Sequence, residues 1–233
     1  AYRVWAMDRD LYNNGQNPQG LVSLTQLPGV RGARLLWQDT PNLIVNGSLN
    51  YIQMGQEVQS QIILSTTPGL EGHAVGAFTI DDVVYWSWHI WVTGTEPISS
   101  VPTNGFRIMD RNLGALSATP QAGGNPRMMG LLYQGGRKDP FPPAAVFTAP
   151  NMKNIYPSSG NTPLIINADG IRFTPAPGTN NFIPAIQNPM TFFRASYGNT
   201  YWYGQLVDFR VSLWDYNHKT DYDPCPAGWR MVK

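Results

Sequence analysis

The side chains best able to do chemistry fall in two tight groups: Arg107, Asp110, Arg111 and Asn112, then Arg137, Lys138 and Asp139. Guanidinium, ammonium and carboxylate groups packed this closely either face a ligand or partner, or pair with one another and pin loops onto a thin core. Both readings stand for Arg137, Lys138 and Asp139, which we carry forward as a ligand or partner surface; Asp110, Arg111 and Asn112 read as a structural motif. A third group is aromatic. Tyr201, Trp202 and Tyr203, within Asn199 to Tyr203, offer rings that stack on sugars or anchor a protein interface, or that close a small core under loops.

Metal and covalent chemistry find less support. His73, His89 and His218 are few and far apart, without an HxH or HExxH pattern, so no metal site is expected. The pairs Asp8 with Asp10 and Asp221 with Asp223 offer two oxygens each, but neither has the spacing of an EF-hand; calcium is unsupported by motif and no cofactor is expected. There is no G-x-S-x-G, no P-loop and no G-x-G-x-x-G, so the chain reads as non-enzymatic. The single cysteine, Cys225, allows no intrachain disulfide and reads as a small buried residue.

The elements that must position these groups are strands. Gly (23) and Pro (20) interrupt helices throughout the 233 residues, and only 13% are charged while 12% are aromatic, which suits short strands joined by turns. The strongest periodic run is Val83 to Val92, where Val84, Trp86, Trp88, Ile90 and Val92 alternate onto one face expected to be buried. Ala74 to Ile80 alternates more weakly, and Asp81-Asp82 between them predicts a tight turn, giving an antiparallel hairpin at the centre of a sheet. Arg34 to Trp37, Leu43 to Val45, Gln61 to Leu64 and Phe106 to Leu113 also read as strands. Leu164 to Ile166 and Ile171 to Thr174 flank a hairpin turn at 167–170, and the best helix candidate is Arg127 to Tyr133. Composition shifts toward loops after Pro97, which divides the chain into a β-rich region 1–97 and a loop-rich domain 98–233.

Charge excludes one class of partner. Sixteen basic and fifteen acidic residues are scattered without runs, leaving no basic stripe for nucleic acid. No apolar run reaches the roughly 18 residues of a membrane helix. The opening AYRVWAMDRD is neither a signal peptide nor an initiator sequence, and a processed piece is expected.

Several blocks together resemble one family. Val84 to Thr93 (VYWSWHIWVT), Ile108 to Ala115 (IMDRNLGA), Gly130 to Phe141 (GLLYQGGRKDPF) and Tyr222 to Arg230 (YDPCPAGWR) are similar to recurrent blocks of the Fibrobacter succinogenes major paralogous domain, found in secreted and surface proteins of Bacteroidetes and Fibrobacteres. Ala33 to Ile44 and Gly72 to Phe78 resemble the β-rich segment that commonly precedes those blocks. The resemblance marks Trp86, Trp88, Trp91, Asp110, Arg111, Asn112, Cys225 and Trp229 as structural motif residues. It implies a mainly β or α+β chain: an antiparallel β-sandwich-like N-terminal part, then a loop-rich domain like the C-type lectins. Family members usually continue past the last block into a helix, whereas this sequence reads Met231-Val232-Lys233, so the fold is expected to be truncated or completed from elsewhere. Glu96-Pro97-Ile98 lacks the third residue of the lectins' calcium-dependent sugar signature, and one cysteine argues against the two-cysteine chemistry of the formylglycine-generating enzymes, remote relatives in fold.

The resulting expectation is a non-catalytic structural or adhesive module, extracellular or at the cell surface, in a filament, fimbria or surface complex with other protein subunits. A carbohydrate-binding module and a phage or virion fibre component are the alternatives, with glycans as possible ligands of the first.

Overall fold

A computed structural model describes residues 2–3, 28–54, 60–146, 149–166, 170–175, 182–194, 213–215 and 217–231. The strands are β1 (Tyr2–Arg3), β2 (Arg31–Gln38), β3 (Asn50–Ile52), β4 (Gln61–Ile63), β5 (Gly72–Ile80), β6 (Val83–Val92), β7 (Ser100–Thr103) and β8 (Phe106–Met109). The chain continues with β9 (Leu132–Tyr133), β10 (Pro140–Phe141), β11 (Ala144–Val146), β12 (Ala149–Met152), β13 (Arg172–Pro175), helix α1 (Phe182–Gln187) and β14 (Thr191–Arg194). The fold is mainly β, as the composition predicts. Every described strand pair is antiparallel except β13 with β14.

The hairpin of β5 and β6 forms where the sequence places it. Asp81 and Asp82 both take positive φ (48° and 63°), the backbone of a two-residue turn whose twist matches that of the strands it joins. Asp81 also closes the sheet's end: its Oδ1 accepts from the Val30 amide at 2.8 Å. The order in the sheet is β2-β5-β6, so β5 is central and, among the described residues, β6 lies at the edge. This corrects the expectation that the whole hairpin sits mid-sheet.

A bulge changes the faces of β6. Ile80 pairs with Val83 and Thr79 with Val84, but Phe78 pairs with Trp86, leaving Tyr85 as an extra residue. Trp86, Trp88, Ile90 and Val92 therefore share a face, while Val84 lies on the other, contrary to strict alternation. Both faces are covered. On one, Phe78 and Ile80 pack with Ile62, Leu49 and Tyr51, and Ala74 packs with Leu43 and Ile44. On the other, Trp37 and Val75 pack with Leu131, Phe141, Ile155 and Ile171. Residues from either side of position 97 thus share one apolar cluster. Trp86 joins a further cluster with Ala185 and Ile186 of α1, Phe193, Leu213 and Tyr222.

Four local expectations differ from what forms. Leu43 to Val45 is not a strand: Leu43 and Ile44 are buried in a loop, with one bridge between Ile44 and Thr66. The strand from Phe106 stops at Met109, because Asp110 and Arg111 turn away to form the ion pair described below. Arg127 to Tyr133 is not an α-helix: Pro126–Met128 makes one 3-10 turn capped by the Asn125 side chain, and Leu132–Tyr133 is β9. Leu164 to Ile166 forms no hairpin with 171–174; β13 pairs in parallel with β14 instead. The six-residue helix α1 was not foreseen, since Pro184 reads as a breaker; within the first turn of a helix its missing N–H costs nothing.

Candidate functional site

The chemistry-bearing side chains gather along β6 and the 134–141 segment that crosses it. Lys138 Nζ donates to Ser87 Oγ (2.5 Å), Asp139 Oδ1 (2.7 Å) and the Ser87 carbonyl (3.0 Å), which uses all three of its protons. Ser87 Oγ donates in turn to Asp139 Oδ1 at 2.5 Å. The ammonium also lies 4.3 Å from the centre of the Trp86 ring, a cation–π contact that offsets part of the loss of water. Burial lowers the Lys138 pKa from its ordinary value, and the Asp139 charge opposes that shift.

Arg137 points the other way. Nη1 donates to the carbonyl of Thr191, and Nη2 to those of Ala185 (3.1 Å), Pro189 (3.2 Å) and Asn188 (3.4 Å), so one guanidinium satisfies the end of α1 and the start of β14. The rings of Phe141 and Phe193 flank it with centroids 5.7 and 5.6 Å away. Arg137, Lys138 and Asp139 are all buried. Buried side chains do not present an open surface, and the bonds described have their charges holding α1, β14 and β6 together, the loop-pinning role that the sequence also allowed. An Ser-Lys-Asp constellation in an open cleft would suit a nucleophile, but Ser87 is 2% exposed and does not border the cavity described below.

The Asp110, Arg111, Asn112 motif works in the same manner. Arg111 makes a two-pronged pair with Asp110 (2.8 and 3.0 Å) and donates to the carbonyls of Glu96 and Pro97, each at 3.1 Å. Asp110 accepts from Ser99 Oγ at 2.8 Å, and its pKa is held down to about 2, chiefly by the Arg111 hydrogen bonds. Asn112 Nδ2 donates to the Met128 carbonyl at 3.2 Å. Gly114 follows with φ +85°, and a Cβ there would stand 2.9 Å from the Leu131 amide nitrogen, so only glycine fits.

In the Tyr222 to Arg230 block, Asp223 is the organiser. It accepts from the amides of Cys225 (2.8 Å) and Met231 (2.9 Å) and from Lys219 Nζ (3.3 Å). Its oxygens thus serve their own loop. Cys225 is half-buried and its pKa is pushed up to about 12, by burial first and then by Asp223. The Trp229 amide closes a turn onto the Pro226 carbonyl at 3.0 Å.

One pairing was missed from sequence. His73 Nδ1 and His89 Nε2 are 3.1 Å apart, sixteen residues distant in the chain. The bulge at Tyr85 makes the contact: it pairs Val75 with His89 and His73 with Trp91, bringing both imidazoles to one face. Without the extra residue His89 would point to the opposite side. Burial lowers the His73 pKa to about 3, with the Lys153 charge acting in the same direction, and burial also lowers that of His89. Both rings are neutral at pH 7, so one nitrogen of the facing pair carries a proton and the other accepts it. Trp91 lies beside both imidazoles, 6.0 and 6.2 Å between centroids, with its indole N–H buried and without a partner among the described residues. Among the described residues no three His, Cys, Asp or Glu side chains are grouped to hold a metal ion.

Compared with known proteins, the chain matches no family model, no curated protein and no solved structure. Of the remaining sequence-derived sites, Tyr201, Trp202 and Tyr203 lie outside the described residues, as do Asp8 and Asp10. Trp88 is half-buried and touches two apolar clusters. Beside it, Leu49, Ile62, Ile90, Pro224 and Pro226 help to line a cavity of about 210 Å³.

Proposed function

We propose that the chain is a non-catalytic structural or adhesive module of an extracellular assembly, such as a surface filament, fimbria or surface complex. The observation that carries this reading is the β7–β8 hairpin. Val101 faces Ile108 and Thr103 faces Phe106 across it, so the apolar side chains fall on one face. That face is exposed: Phe106 is 74% accessible, Val101 45% and Ile108 44%. A contiguous apolar face of this kind is costly to leave in water and marks a contact surface. The charged motifs support the same reading, because Arg111, Arg137 and Lys138 are engaged in holding loops. The surface location rests on the resemblance of the Trp-rich, DRNLGA and CPAGWR blocks to the Fibrobacter succinogenes major paralogous domain. The two facing strand layers built on β5 support a sandwich-like first part, and the loop-rich remainder is read as lectin-like on the same resemblance.

The reading is tested by sedimentation of the full chain at increasing concentration, alone and with the products of genes encoded beside its own. The expected result is association that Phe106→Ser with Ile108→Ser weakens by about tenfold or more without lowering the melting temperature, since each side chain already faces water. A chain that stays monomeric and binds none of those products at high micromolar concentration overturns it.

A further inference from the structure

The β6 edge has a further property, which follows from which way its backbone points. The amide and carbonyl of His73 both bond to Asp39, on the β2 side of the sheet. In an antiparallel ladder the residue opposite then turns its own amide and carbonyl outward. Trp91 stands opposite His73, His89 opposite Val75 and Ser87 opposite Ala77. The Ser87 carbonyl obeys this rule, since it is taken by Lys138 from outside the sheet. The outward amides and carbonyls of His89 and Trp91 meet no hydrogen-bond partner among the described residues.

His89 and Trp91 are themselves among the residues that line the cavity beside Trp88. Pro224 and Pro226 also line it, and neither has an N–H to offer a carbonyl. The described lining carries no Asp, Glu, Lys or Arg, so a charged group entering it would lose water and gain no partner. At about 210 Å³ it exceeds the roughly 150 Å³ cavity known to accept a benzene ring, enough for one large apolar side chain.

The geometry points to the His89–Trp91 edge of β6 as a docking site for an extended segment of a partner polypeptide, which pairs as an added strand and seats one uncharged, bulky side chain in the cavity. Donors and acceptors repeating every second residue match another extended backbone better than a compact small molecule. The site is short because Lys138 already occupies the edge at Ser87. The inference takes from the assembly reading only the expectation that the partner is a protein.

The test uses the full chain and capped seven-residue peptides of alternating threonine and valine, with leucine, isoleucine, phenylalanine, tyrosine or tryptophan at the centre. Amide hydrogen exchange is followed residue by residue. At least one peptide is expected to slow exchange at His89 and Trp91 while Trp88 and Ile90, whose amides face β5, change little. Methylating the peptide's alternate amide nitrogens should weaken binding roughly tenfold or more, and Leu64→Trp, which fills the cavity, should abolish the preference for a large central residue. The inference is overturned if no peptide protects those two amides, if the methylated peptide binds equally well, or if toluene fills the cavity of a chain that ignores every peptide. The N-methyl comparison uses the unaltered protein and so does not depend on the variant folding. Failure here leaves the hairpin test of the assembly reading intact, because that test reads association through Phe106 and Ile108.

Discussion

The buried imidazoles and the buried guanidinium set two different demands on stability. His73 is neutral in the folded chain down to about pH 3, whereas in the unfolded chain it takes up a proton near its ordinary 6.5. Below 6.5 the unfolded state therefore binds more protons, and stability falls as pH drops from about 6.5 toward 3. His89 is shifted in the same direction. Melting curves between pH 7 and 4 should show this loss, and His73→Asn with His89→Gln should flatten it; an unchanged slope would remove the neutral-pair account. Asp110 acts in the same sense at lower pH: its lowered pKa contributes stability that is fully present above about 4 and is lost as pH falls from there through about 2. Arg137 is held by shape as much as charge. Arg137→Lys keeps the cation but reaches at most a few of the carbonyls of Thr191, Ala185, Asn188 and Pro189, and is expected to cost about 3 kcal/mol or more in urea unfolding.

Among the elements, the β5–β6 hairpin was legible because its two signals agree: alternation on either side and a pair of turn-forming aspartates between. The bulge at Tyr85 was not, since nothing in Val84-Tyr85-Trp86 announces an extra residue, and one residue of slip exchanges every face beyond it. For that reason the His73–His89 contact stayed hidden although both residues were in view. The loop-pinning role of Asp110 and Arg111 could be read from their adjacency. The same role was open for Arg137 to Asp139, but their partners could not be read, because the carbonyls that receive Arg137 come from α1 and β14, about fifty residues away. Leu164 to Thr174 misled for a related reason: the turn residues were present, but β13 found a parallel partner in β14. The Asp81-Asp82 turn itself leaves room for improvement. Both residues sit at positive φ, where glycine is unstrained, and Asp82 is exposed without a bond that the turn needs. Asp82→Gly should raise stability by about 0.5 kcal/mol, seen as a higher melting temperature.

At the scale of the molecule, the shift toward loops after Pro97 suggests two regions, yet contacts run across that point. Trp37 and Val75 pack with Leu131, Phe141 and Ile155; Lys153 reaches Asp39 at 3.3 Å, and Ser87 meets Lys138 and Asp139. Calorimetry of the chain should therefore show one transition, and a fragment ending at residue 97 should lack cooperative melting, since it leaves one face of β5 and β6 uncovered. Two separate transitions would instead return the boundary to position 97. The lone thiol near the other end of the chain bears on where such a protein can work. Cys225 is kept protonated by partial burial and by the carboxylate that receives its amide, and a protonated thiol is a poor nucleophile. A thiol held in that form exchanges slowly with foreign disulfides whatever the redox state around it.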